Sequence, residues 1–207
     1  MHSSKKISRQ ILHSGRGLVA VLAALGVVVA LPLGVEAATA STTISSAIAS
    51  VVTISSSGTV NVNVTPTASG AQTIAADTVS VSTNDTAGYT LQLNETGASS
   101  SLVSGGNTIT AVSGTQASPV VETAGKWGYR VDGVGGFGAG PTSGASNQAI
   151  SGTTFAAVPA TGSPNTLKTT SSTASGDTTS VWYGVAADST QPSGTYTNSV
   201  TYTATGN

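Results

Sequence analysis

Residues Thr179–Thr205 read TSVWYGVAADSTQPSGTYTNSVTYTAT, and this stretch decides the fold class. Val181, Tyr183, Val185 and Ala187 alternate with Ser180, Trp182, Gly184 and Ala186. Further on, Tyr196, Asn198, Val200, Tyr202 and Ala204 alternate with Thr195, Thr197, Ser199, Thr201 and Thr203. A period of two in β-branched and aromatic residues marks a half-buried strand. Asp188 to Gly194 between the two runs supplies Asp, Ser, Pro and Gly, which are turn formers. The reading is a closing β-hairpin. It holds one of the two tryptophans and three of the five tyrosines.

The same pattern recurs upstream. Lys126 to Val131 sets Trp127, Tyr129 and Val131 against Lys126, Gly128 and Arg130, which predicts a central core strand. Thr78 to Asn94 predicts a second hairpin, with Val79, Val81, Tyr89, Leu91 and Leu93 inward and Asn84 to Gly88 as its turn. Leu102-Val103 and Thr108 to Val112 bracket Gly105-Gly106-Asn107 as a short hairpin. Val60, Val62 and Val64 make Thr59 to Thr65 a strand that Pro66 ends. Thr42 to Ile54 is read as a strand despite some helical spacing. Thr153 to Val158 and Asn165 to Thr170 are weaker strands. Gly133 to Asn147, with six glycines and one proline, is a long loop. Nine or ten short strands at this spacing predict an all-β sandwich or barrel, and an antiparallel β-sandwich, immunoglobulin-like, is the form expected here. No linker divides the chain, so residues 38–207 form one domain.

The opening residues belong to something else. Lys5, Lys6, Arg9 and Arg16 precede the apolar run Leu18 to Leu33, and Val35-Glu36-Ala37 follows. Basic, apolar, then small is the layout of a secretory signal, here a helix over residues 1–37. An uncleaved anchor is the alternative, because the run is close to the roughly 18 residues of a spanning helix. The chain is therefore expected outside the cell or at its surface, touching a membrane only if the signal stays attached.

Cleavage after Ala37 changes the composition. Three basic residues (Lys126, Arg130, Lys168) then stand against seven acids, a net charge of −4, with no basic cluster. That argues against nucleic acid or an anionic membrane as partner. Both histidines, His2 and His13, and the single methionine, Met1, go with the signal, and there is no cysteine. A core of this length holds without disulfides, since about 150 residues already bury nearly 70% of the unfolded surface.

Candidate sites are few. Serine nucleophiles need a base, and the mature chain has no His and two lysines. Paired carboxylates could act on glycosides, but most of the acids fall in predicted turns or strand ends. No enzyme is expected, no catalytic residue is assigned, and no cofactor is implied. Asp85, Asp132, Asp177 and Asp188 lie in loops without the Asp-rich spacing of a calcium loop, so no metal site is assigned. The run Gly133-Val-Gly-Gly-Phe-Gly lacks the lysine and the following helix of a phosphate loop. Trp127 and Tyr129 share one face of a strand, as a core pair or a sugar-stacking platform, and the core is the expected fate. Trp182 and Tyr183 are candidates of the same kind. Phe137, alone among glycines, is the candidate exposed contact. Lys126 or Lys168, with Asn198 and Glu122, could form a Lys–Asn cross-link, although solvated lysines are the ordinary outcome.

The last strand also carries a resemblance. SGTYTNSVTYT, residues 193–203, is similar to the closing strand of bacterial exported domains of the WxL-type and of spore-coat U and pilin-like proteins. With TNDTAGYTLQL, KWGYRVDG and VWYGVAAD, the whole mature chain resembles exported surface proteins of Saccharibacteria-like bacteria. The WxL tripeptide itself is absent, because Gly-Tyr follows Trp127 and Tyr-Gly follows Trp182. The resemblance implies a pilin-like variant of the same fold and a structural or adhesive protein, a subunit of a surface layer or fibre. Its partners would be itself, other surface proteins or glycans. The competing expectation is a carbohydrate- or cell-wall-binding module. Thr195 to Asn207 carries no charge or proline, and unguarded edges recruit other strands, so it is expected to be paired on both sides. Alternatively, it or Thr42 to Ile54 serves as a joint between copies.

Intact-mass measurement of the exported protein should give a chain beginning at Ala38. A mass retaining residues 1–37 would make the N-terminus an anchor.

Overall fold

The computed structural model describes residues 36–140 and 143–207. The expected signal segment lies outside the described residues, except for its last two positions. Contacts divide the chain into residues Met1–Ser45 and Ser46–Asn207, and every strand belongs to the second unit. That unit is all-β and largely antiparallel, with no helix among the described residues.

Two long strands make its spine. β2 (Ala71–Thr83) and β11 (Ala174–Ala187) run antiparallel through twelve registered pairs, from Ala174↔Thr83 to Ala187↔Ala71. The free side of β2 takes β1 (Val52–Ser55) at one end and β8 (Ala145–Gln148) at the other. On the far side of β11 follow β7 (Lys126–Arg130), β5 (Asn107–Ala111) and β4 (Leu102–Ser104). Among the named strands only the β5–β7 pair is parallel. A second sheet has three strands in the order β10 (Asn165–Thr169), β3 (Tyr89–Glu95), β12 (Val200–Gly206). A short ribbon pairs β6 (Val120–Val121) with β9 (Thr154–Phe155).

Alternation assigns each side chain to a layer. Val79, Val81, Trp127, Tyr129, Val181, Tyr183 and Val185 leave one face of the large sheet and meet Tyr89, Leu91 and Leu93 of the small one in a single core. Trp127 is 3% exposed, donates Nε1–H to the Ser100 carbonyl at 2.8 Å and stacks on Tyr183. The opposite parity of the large sheet is buried too. Ile74 and Trp182 there join Val112 and Phe155 in a second cluster.

Phe155 reaches that face through a gap. Gly128 and Gly184 are directly opposed across the β7–β11 pair. A Cβ on Gly184 would lie 2.6 Å from the Phe155 ring, and one on Gly128 would lie 2.9 Å from the Phe155 Cβ. The two glycines are therefore the seat of a fully buried ring. Burying a phenylalanine of this kind contributes about 1.5–3 kcal/mol relative to exposure.

Several expectations are corrected. The closing hairpin does not exist: β11 lies in the large sheet and β12 in the small one. From Val181 to Ala187 β11 is apolar on both faces and already has β2 and β7 as partners, so no edge is left there for residues 196–204. Residues 188–199 instead cross between layers. The Thr78–Asn94 hairpin fails in the same way, because β2 and β3 belong to different sheets and residues 84–88 arch between them. The Gly105-Gly106 hairpin forms as read, Leu102↔Ile109 to Ser104↔Asn107. Thr42–Ile54 is strand only from Val52 onward, and Thr59–Thr65 joins no ladder. β12 is paired on one side only, at the margin of its sheet. Phe137, expected in solvent, is 5% exposed: its loop folds back and sets the ring edge-on to Tyr129, 5.6 Å away.

Trp127→Ala should cost about 3–5 kcal/mol, the usual range for emptying a large aromatic site. Chemical denaturation measures it, and a variant that melts with its parent would place Trp127 outside the core.

Candidate functional site

Seven strands of the large sheet stand against three of the small one. Part of the inner face of the large sheet is consequently left for irregular chain to cover. Leu102, Ile109, Trp127 and Val185 floor an open groove of about 780 Å³ there. One wall is residues 58–64, and the other is residues 191–200 with the start of β12. A volume of this size falls in the range of ordinary binding sites.

The first wall shows why a strand-like sequence need not make a strand. Val60, Val62 and Val64 are half-buried against the core, while Asn61 and Asn63 face solvent. The alternation is thus realised, but among the described residues this run makes no backbone–backbone hydrogen bond. Side chains hold it instead. The Thr73 hydroxyl donates to the Asn63 carbonyl at 2.7 Å, and Thr65 N–H donates to Asn147 Oδ1 at 2.6 Å. Just before it, Ser57 N–H donates to the buried Asp77 carboxylate at 2.9 Å.

The second wall is also pinned. Val103 and Thr197 exchange two backbone hydrogen bonds of 3.0 Å, attaching the crossing chain to β4. Asn198 Nδ2 donates to Glu95 Oε2 at 2.9 Å and to the Ser99 carbonyl at 3.0 Å. Tyr196 donates its hydroxyl to the Pro192 carbonyl and accepts Gln191 Nε2. At the inner end of the groove the Tyr183 and Tyr202 hydroxyls meet at 2.7 Å, joining the two sheets. Burial pushes both phenols far above their ordinary range, and the Asp77 carboxylate nearby adds to the effect.

Two glutamates are buried without a counter-charge. Burial pushes Glu95 up to about 7, with the Asn198 hydrogen bond opposing the rise. Glu122, on the other face of the large sheet, is pushed up to about 8 by burial, against its 2.6 Å bond from Gln72 Nε2. Gln72 Oε1 in turn accepts the Ser151 hydroxyl and Gln148 Nε2. One carboxylate oxygen of each glutamate has no partner among the described residues. A protonated carboxyl suits such a site, because an unpaired buried charge is far costlier than a neutral group.

The residues singled out in the sequence do not converge. Trp127, Tyr129 and Tyr183 are core, and Trp182 lies on the opposite face of the large sheet. The cross-link set is dispersed: Lys126 Nζ donates to Thr110 Oγ1, Lys168 pairs with Asp177 at 2.6 Å, Glu122 meets Gln72, and Asn198 meets Glu95. The loop aspartates serve local structure. Asp85 accepts Ala87 N–H, Asp188 accepts Thr190 N–H, and Asp132 pairs with buried Arg130. Among the described residues no three acids gather into a metal-binding group. Sequence reasoning missed Asp77 and Glu95, although a signal was present. Asp77 shares the parity of Val79 and Val81, and Glu95 that of Tyr89, Leu91 and Leu93.

Chemically, the groove offers an apolar floor, two extended walls and one carboxylate already bonded to backbone. That suits the capture of an extended segment. Comparisons with known protein families, with curated proteins and with solved structures give no match.

The buried acids set the response to pH. Their folded-state values lie above the ordinary carboxylate range, so the fold binds protons that the unfolded chain releases. The stability they contribute is complete below the ordinary range, about pH 4, and is lost as pH rises through 7 and then 8. Melting temperature should therefore fall between pH 5 and pH 9. Glu122→Gln should remove the later part of that fall. A profile identical in parent and variant would remove Glu122 from the account.

Proposed function

We propose that the chain is an exported cell-surface structural protein, with an adhesive role as the close variant, and that it works as a subunit of a surface layer or fibre. The finer architecture belongs to this reading: an antiparallel β-sandwich, immunoglobulin-like or pilin-like, built from the two unequal sheets. The observation that carries the proposal is the groove flanked by extended chain, of which residues 59–65 make no backbone–backbone hydrogen bond and β12 pairs on one side only among the described residues. Such edges recruit further strands, and monomeric proteins normally guard them. The secretory layout of residues 1–37 supports a location outside the cell for that device. The scarcity of charge suits close packing of copies, with seven acidic and three basic residues beyond position 37. No catalytic role is proposed.

The carbohydrate-binding alternative would draw on exposed aromatic faces, which stack on sugars. Trp127, Tyr129 and Phe137 are spent in the core. Partners are accordingly proposed to be further copies or other surface proteins before glycans.

Immunolabelling of intact cells, before and after external protease, tests location. The protein should label at the surface and be lost on protease treatment. Label that appears only after permeabilisation would overturn the proposal.

A further inference from the structure

Three features meet at the groove. β12 pairs with β3 alone, so one full side of Val200–Gly206 has no strand partner among the described residues. Residues 59–65 stand across the groove, extended and without backbone pairing. The floor between them is apolar, and the one acid lining it, Asp77, is already hydrogen-bonded to Ser57. An added strand could pair with either wall and bury side chains of one parity in the floor. The occupant must be extended, uncharged and apolar on one face.

The chain carries one such segment. Residues 38–51 contain no charge, no proline and no glycine. Residues 36–51 are all exposed and in no strand. Ile44 is 92% and Ile48 86% exposed, an unusual state for two isoleucines in one short run. In a strand, positions 44 and 48 fall on the same face, about 13 Å apart, with Thr42, Ser46 and Ser50 beside them. The other face is Thr43, Ser45, Ala47 and Ala49, small and compatible with solvent.

Geometry directs the segment to another molecule. Residues 49–51 are tied to the arch after β2: Asn84 Oδ1 accepts Val51 N–H, Asn84 Nδ2 donates to the Ala49 carbonyl, and Ser50 donates to Asp85. Along β2 the groove begins at Asp77, seven residues or about 23 Å back from Asn84. The chain therefore enters its own domain at the Asn84 end of β2, beside Gly206 at the far end of β12, with no Gly, Pro, Asn or Asp in residues 38–51 to turn it back towards its own groove. We infer that the groove receives residues 42–50 of a second copy as an added strand, with Ile44 and Ile48 on its floor. This rests on the surface-assembly reading above and names its joint. Because each copy has one segment and one groove, the contact is head-to-tail and propagates into a chain of subunits.

Sedimentation of the exported protein over a concentration series tests it. The wild type should form growing oligomers. Ile44→Asp/Ile48→Asp should weaken association by about tenfold or more, since it buries charge without a partner. Its melting temperature should equal that of the wild type at concentrations low enough for both to be monomeric, because both side chains are exposed in the monomer. That variant keeps its groove, so mixed with wild type it should cap and shorten the oligomers. A peptide of residues 38–51 in excess should dissolve them. Assembly of the double variant equal to wild type would overturn the inference, and so would a wild type that stays monomeric throughout. Surface labelling separates the two proposals. Oligomers that depend on Ile44 and Ile48 in a protein kept inside the cell would sink the surface reading alone. A surface protein that assembles without them would sink the joint alone.

Discussion

Phe155 seated over Gly128 and Gly184 is the contact that gives the large sheet its second buried face. A sheet with one face in a core commonly leaves its other face to water. Here two opposed glycines open a gap, and a ring from the chain after β8 closes it. Tyr129 and Ala156 then exchange backbone hydrogen bonds of 2.9 and 2.8 Å, which locks the covering chain onto β7. With both faces occupied, β11 can be apolar at every position from Val181 to Ala187, and its partners must be strands on either side. The absence of a closing hairpin follows from that double burial.

Much of this was legible in the residues. The all-β class, the core fate of Trp127 and Tyr129, and the Gly105-Gly106 hairpin were all present as alternation and turn chemistry. What the pattern could not carry was partnership. Alternation reports which face a side chain takes, not which strand lies alongside, so two stretches that read as hairpins each span both sheets. The lengths of the connections held a clue. Residues 188–199 are longer than most hairpin loops. Paired glycines such as Gly128 and Gly184 read in sequence only as weak points in strands. Their purpose appears when Phe155, distant in the chain, arrives above them. Phe137 was misplaced for a related reason, since its partners Tyr129 and Arg130 precede a glycine-rich loop that folds back on them.

The groove arises from an inequality between layers. A three-stranded sheet cannot cover a seven-stranded one, and the chain fills the difference with residues 58–64 and 191–199, held largely by side-chain bonds. Residues 59–65 have the composition of a strand and the burial of one, but lack a neighbour. Their sequence is therefore consistent with two conditions, the solitary run seen here and a paired strand in a larger assembly. The site was invisible beforehand because it is made of what the fold leaves uncovered, and no single motif encodes that.

The position of β11 also bears on the order of events when the domain forms. Its pairs with β2 join residues about a hundred positions apart, as in Val181↔Asp77, and its pairs with β7 join residues about fifty apart. Contacts of such sequence separation are slow to form, because loop closure must precede any reward. The central strand of the large sheet also follows both of its neighbours, β2 and β7, in the chain, so it is made after them. Until it arrives, β2 and β7 have no common neighbour and the main core lacks Val181, Tyr183 and Val185. A nascent chain of this design keeps its main core open until β11 has been made. That delay suits a polypeptide proposed to be threaded through a membrane before it folds.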